Sequence, residues 1–200
     1  MCNAYTVRAK LGGSEIDALV SAGIAKLRAS LVRRTGRGVV LRAEAGALVA
    51  ETMRWGFRRP FSDAINNARS DNLHSPIWKE AVAERRCLVP ISTFYEWQPL
   101  PLGGKQAYEF RRPDEDWMWV AGLFEPDEVH GRCYATMTTE PPEWVMPIHD
   151  RLLAIVSYEE GMGYLAGDII PSSPYAGKLL AEPCESPLRK RAADGQGELF

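Results

Sequence analysis

The chain has 200 residues, 46% hydrophobic and 25% charged, with a formal net charge of −2; that is the size of one domain and enough chain to bury a core. No window holds the ~18 consecutive apolar residues of a membrane span, and the first residues lack the charged-then-apolar pattern of a secretory signal, so the expectation is a cytoplasmic protein with no membrane partner. Cysteines at 2, 87, 133 and 184 form no C-x-x-C pair or Cys/His cluster, so no metal or cofactor is expected and the thiols should be free in a reducing compartment.

The elements are read in chain order. Residues 14–31 place Ile16, Leu19, Val20, Ile24, Leu27 and Leu31 on one helical stripe behind a Ser14 cap, which predicts a core-packing helix. GVVLR (38–42) and ALVAE (47–51) read as strands around a turn at Ala45-Gly46, with TMRWGF (52–57) extending the hairpin. Ser75 and Pro76 start a predicted helix over 75–85. Strand-like runs follow at 86–90, 92–97, 106–111, 117–124 and 132–140, then a buried strand at 152–157. The pattern predicts an α+β fold. The expectation is a single compact domain over 1–182, with either a mixed or antiparallel β-sheet or a barrel-like core flanked by a few helices, and a polar, flexible tail over 183–200. Nothing demands self-association, so a monomer is expected. Charge is unevenly spread: residues 1–60 hold 11 Lys/Arg against 4 Asp/Glu. That excess suits an anionic partner if the arginines cluster, and a solvated face if they do not.

Several polar residues interrupt this apolar pattern. Cys2 follows Met1 directly; it is small enough for Met1 to be trimmed, which would leave an α-amine and a thiol on adjacent carbons. Asn67-Ala68-Arg69 stands between apolar segments, Glu96 sits among aromatics in Phe94-Tyr95-Glu96-Trp97, and Ile148-His149-Asp150-Arg151 precedes the buried strand. Taken singly, each has a plain structural reading: Asn67 as a turn residue, Glu96 on a solvent face, His149 as a half-buried core histidine, Arg69 as a surface ion pair.

Together, in this order and with Trp55-Gly56 and the Cys87-Leu88-Val89-Pro90 approach, these segments resemble the SRAP (SOS response-associated peptidase) family. The resemblance covers the first two residues and about 52–157. Four features depart from it: the acid after Asn67-Ala68-Arg69 is the shorter Asp71, Arg58-Arg59-Pro60-Phe61 replaces an aromatic wedge after Trp55-Gly56, and two more lie nearer the start. The family's usual M-C-G-R start reads Met1-Cys2-Asn3-Ala4 here, and SLVRRTGRGVV replaces an N-V-A-P-like segment.

The resemblance implies covalent capture of abasic sites in single-stranded DNA. The amine of Cys2 would condense with the sugar aldehyde and the adjacent sulfur would close a thiazolidine, with no metal or cofactor. An unperturbed terminal amine, with a pKa of ~7.7–8.0, is roughly a quarter neutral near pH 7.4. On this reading Cys2, Asn67, Glu96 and His149 are catalytic. Glu96 is a general acid and base raised by desolvation, His149 a proton donor to the sugar, and Asn67 an uncharged holder of the amine or sugar. Arg69, Arg54, Arg58 and Arg59 are candidates for phosphates, Trp55 for base stacking, and Thr138 or Thr139 for the pocket wall. Asp150 orients His149 or pairs with Arg151. Two other readings stay open: a thiol peptidase with Cys2 as nucleophile, His149 as base and Asn67 as orienter, which in its narrow version acts only on Met1, and a non-covalent single-strand binding module.

Overall fold

A computed structural model describes residues 2–188. The chain runs β1 (Ala4–Thr6), α1 (Glu15–Ile24), β2 (Leu31–Arg33), β3 (Arg37–Glu44), β4 (Ala47–Trp55), β5 (Phe57–Arg59), β6 (Ser62–Ile65), β7 (Asn67–Arg69), α2 (Lys79–Glu84) and β8 (Arg86–Ile91). It continues through β9 (Thr93–Pro99), β10 (Lys105–Arg111), β11 (Met118–Asp127), β12 (Gly131–Thr139), β13 (Leu152–Leu153), β14 (Ile155–Val156), α3 (Tyr158–Ala166) and β15 (Leu180–Cys184).

The α+β expectation is met, and its core is a closed barrel. Strands β12, β4, β3, β8 and β11 pair in sequence, and β11 pairs back onto β12. All of these ladders are antiparallel except β12 with β4. Closure leaves these strands no free edge. A second sheet, ordered β15-β10-β9-β1-β2, lies beside the barrel. Tyr5 of β1 locks the two together. Its ring meets Trp55 of β4 edge-on at 5.1 Å, and its hydroxyl hydrogen-bonds that of Tyr134 on β12. Gly38 makes room for both hydroxyls, since a Cβ there would fall 2.0 Å from Tyr5 Oη and 2.2 Å from Tyr134 Oη.

The Trp-Gly pair also has a structural cause. Gly56 adopts φ +121°, which favours glycine, and a Cβ would come within 2.5 Å of Ala64 Cβ. Its amide donates to Tyr134 O at 2.7 Å.

Several boundaries differ from expectation. The first helix stops at Ile24, and Leu31 opens strand β2 beside β1. A stripe of apolar spacing cannot reveal where a cap ends it, and Leu19, expected in the core, is exposed. The second helix starts at Lys79 with Trp78 as its cap; Ser75 and Pro76 form the preceding turn. The run 152–157 is divided at Ala154, whose amide and carbonyl bridge Met137 and Ala121. Helix α3, capped by Ser157 with a reciprocal Glu160 bond, was not anticipated. β15 runs to Cys184 as an edge strand on β10, two residues past the boundary expected at 182. Residues 189–200 of the expected tail lie outside the described residues.

Candidate functional site

Residues from five separate segments converge where the start of β1 meets the end of β12. Antiparallel pairing sets Tyr5 against Phe94, and continuing that register brings residues 2–3 level with Glu96. β7 lies parallel to β12 with Asn67 opposite Thr136. A helical turn over 142–149, closed by His149 N donating to Val145 O, delivers His149.

Cys2 is wholly buried, and its thiol donates to Ala4 O at 3.2 Å. Burial, and then the Glu96 carboxyl nearby, push its pKa far up, so the resting group is the thiol. The side-chain amides of Asn66 and Asn67 both donate to Cys2 O at 2.9 Å. Asn67 is oriented in turn by Thr136, whose hydroxyl donates to Asn67 Oδ1 at 2.9 Å and so fixes which end of the amide faces Cys2. Asn66 and Thr136 escaped the sequence reading; the doubled Asn-Asn was the available signal.

Glu96 is 2% exposed, and burial pushes its carboxyl up to about 8. The Nε2 of His149 lies 3.6 Å from Glu96 Oε2. The Arg151 amide donates to His149 Nδ1 at 3.0 Å, so in the neutral ring the hydrogen sits on Nε2, facing Glu96. Asp150 Oδ1, 3.0 Å from Nδ1, is the competing partner. Desolvation pulls the His149 pKa below its ordinary value. Near neutral pH this makes an acid and a neutral imidazole side by side, each able to take or give one proton.

Asp150 therefore stands by His149. Arg151, its other expected partner, turns away to donate to Thr138 O at 2.7 Å and to face Asp71 at 3.6 Å. Asp71 also holds exposed Arg69 through bonds of 2.7 and 3.1 Å. Arg69 and Arg151 thus form a guanidinium pair about one carboxylate beside the mouth of the site. The buried hydroxyls of Thr138 and Thr139 and the Nε of Arg151 have no hydrogen-bond partner among the described residues. Thr138 shares a strand face with Thr136.

Of the remaining expected residues, Trp55 braces the site from inside and the three arginines lie elsewhere. Trp55 is wholly buried, its Nε1 donating to Asn66 O at 3.0 Å, so no base can stack on it. Arg54 is 6% exposed, and its guanidinium is held by Gly56 O, Asp63 O and Asp63 Oδ2. Both face the early part of β12 at Cys133 and Tyr134, roughly 15 Å along the strand from Thr138. Arg58 pairs with Asp127, and Arg59 is clamped by Glu125 over the Phe57 ring. These three arginines hold loops at the far end of the β11–β12 hairpin. Exposed aromatic surface near the site comes instead from Trp144, which leans on Phe110 at 6.4 Å in the segment leading to His149. Gln98 anchors that segment by donating to Pro147 O at 3.0 Å.

The arrangement presents a thiol at the chain's start, an uncharged amide cradle, a buried acid, an imidazole and a guanidinium pair. Among the described residues no cluster of three or more His, Cys, Asp or Glu could hold a metal, and no helix is long and apolar enough to cross a membrane.

The family model described as "SOS response associated peptidase (SRAP)" matches residues 18–191. The chain is 28% identical over 124 residues to the Bacillus subtilis abasic site processing protein YoaM, covering 56% of this chain and 55% of that one. It is 27% identical over 135 residues to the Saccharomyces cerevisiae abasic site processing protein YMR114C, covering 61% and 35%. The matched stretch thus spans about half or less of the length of these relatives. Among solved structures, a Bacteroides thetaiotaomicron protein superposes with a TM-score of 0.72 at 18% identity, covering 91% of both chains. A Bordetella bronchiseptica protein gives 0.68 at 18% identity, over 92% of this chain and all of that one. At such identities the likeness concerns the fold.

Proposed function

Because the chain belongs to the SRAP family, we propose that it captures abasic sites in single-stranded DNA as a thiazolidine through Cys2, after Met1 is removed. The observation that carries this reading is the gathering of Asn67, Glu96 and His149 around Cys2. The names of the relatives, abasic site processing proteins, supply the substrate class.

Hydrolysis of the Met1–Cys2 bond frees the Cys2 amine. Its nitrogen adds to the C1′ aldehyde of the opened deoxyribose. The carbinolamine hydroxyl leaves as water, with the Glu96 carboxylic acid supplying the proton. The sulfur then adds to the iminium carbon, the Cys2 thiol giving its proton to the Glu96 carboxylate, while the N–H already on the iminium stays on the ring nitrogen. One water is released overall. His149 is the group that passes a proton to the ring oxygen as the sugar opens. Asn66 and Asn67 hold the Cys2 backbone, so that amine and sulfur meet the same carbon. Exposed Arg69 fits the phosphate next to the lesion, with buried Arg151 bracing Asp71 behind it. Thr138, on the Thr136 face of its strand, offers its hydroxyl to the sugar, and Trp144 takes the stacking role first expected of Trp55.

The thiol-peptidase reading is less well supported. It needs a thiolate activated by His149, whereas burial and the Glu96 carboxyl keep Cys2 protonated.

The test is a single-stranded oligonucleotide with one abasic site, mixed with protein and run on a denaturing gel. A heat- and SDS-stable band is expected, absent with Cys2→Ala and with Cys2→Ser, since a hydroxyl cannot supply the sulfur. An intact-mass measurement showing Met1 retained on all of the protein, or a stable band with Cys2→Ala, would end the proposal.

A further inference from the structure

The cation excess of the first 60 residues has a definite location. Between Asp17 and Glu44 the sequence contains six basic residues and no acid. Arg42 pairs with Glu44 and Glu51. The other five, Lys26, Arg28, Arg33, Arg34 and Arg37, are exposed, and none makes an ion pair among the described residues. Two are tied only to backbone carbonyls: Arg33 donates to Pro187 O and Arg37 to Thr52 O. Elsewhere most arginines are neutralised, as the pairs at Arg54, Arg58, Arg59, Arg69, Arg132 and Arg151 show, and the two among the described residues that are not, Arg8 and Arg86, lie outside the band. Five cations left without counter-ions in one band are a concentrated positive field.

The band adjoins the reactive residue. Arg34 N donates to Asn3 O at 3.2 Å, and Arg33 pairs with Ala4. From there the surface passes into a cleft of about 400 Å³ between the α1–β2 segment and the start of β3. Lys26, Arg28 and Arg37 line it over an apolar floor of Leu27, Leu31 and Val32. Cations above apolar surface suit a nucleotide unit, with phosphate on the cations and sugar and base on the floor.

We infer that this cleft and the adjoining Arg33–Arg34 turn are a phosphate-binding track for the nucleic-acid strand, on the Asn3 side of the reacting sugar and separate from the Arg69–Arg151 pair. This inference rests on the proposed strand substrate but not on the covalent step. The track occupies the segment where the family's N-V-A-P-like motif is missing from this chain.

The test uses non-covalent binding. Undamaged single-stranded DNA is titrated by fluorescence anisotropy into Cys2→Ala protein over a range of salt, with and without Lys26→Gln, Arg28→Gln and Arg34→Gln together. Each phosphate contact on a single strand contributes about 0.7 to the slope of log K against log salt. The triple variant should therefore lose about 2 from the slope and bind several-fold more weakly at low salt. A control triple, Lys79→Gln, Arg111→Gln and Lys178→Gln, should leave the slope unchanged. An unchanged slope in the first variant, or an equal fall in the control, would overturn the inference. The abasic-site gel with Cys2 intact runs alongside. Loss of slope without a cross-link would keep the track and discard the covalent reading; a cross-link with an unaltered slope would do the reverse.

Discussion

Glu96 shows most sharply how surroundings set chemistry. A carboxyl ordinarily titrates near 4.5; enclosed here it is pushed to about 8 by desolvation. The folded state then binds the proton more tightly than the unfolded chain. This group's contribution to stability is fully present below pH 4.5 and is lost as pH rises towards 8. Glu96→Gln should flatten that decline, read as urea midpoints at pH 5 and 8.5, with the variant gaining on the parent at the higher pH. In the proposed reaction the same titration shapes the rate. Cross-linking should fall above about pH 8 as the acid form disappears, and Glu96→Gln should slow it by roughly 10²-fold or more and abolish that alkaline limb. Single-turnover gels across pH 6–9.5 check this.

At the scale of elements, the site depends on where β1 is held. Tyr5, three residues beyond Cys2, is clamped between Trp55 and Tyr134 over Gly38. Gly38→Ala would drive a methyl into both hydroxyls, and a loss of roughly 2 kcal/mol or more is expected, visible as a lower thermal midpoint. A gentler change in the neighbouring pair separates positioning from folding. Thr136→Val removes the donor to Asn67 Oδ1 and leaves a buried acceptor unsatisfied, for about 1–3 kcal/mol. It should also slow cross-linking, because the Asn67 amide is then free to flip.

Across the whole molecule, the closed barrel and the open sheet should differ in stability. Barrel strands β3, β4, β8, β11 and β12 are paired on both sides, whereas β2 and β15 are edges of the second sheet. In native-state hydrogen exchange, amides of the barrel should exchange only by global unfolding, and those of β2 and β15 through smaller openings. Equal protection in both sheets would contradict this. The basic band beside β2 would then lie on the more adaptable sheet, where a strand of varying sequence is easily followed.

Much was legible in the residue order. Alternation gave β8 to β12, and the polar interruptions at Asn67, Glu96 and His149, with Cys2, named the residues that gather. Their chemistry was visible because an amide, a carboxyl and an imidazole are conspicuous among apolar neighbours. Short strands such as β1, β2, β5 and β7 carry too few residues for a periodic signal, and they are what bring Cys2 to Asn67. Roles assigned by residue type do not fit buried Arg54 and Trp55, since an arginine or tryptophan reads the same whether its polar groups face solvent or are already satisfied inside. The sequence by itself determined which groups are present and in which segments; only the tertiary structure decided which of them are free to act. Burial and partner choice are properties of contacts between distant segments, and no local pattern encodes them.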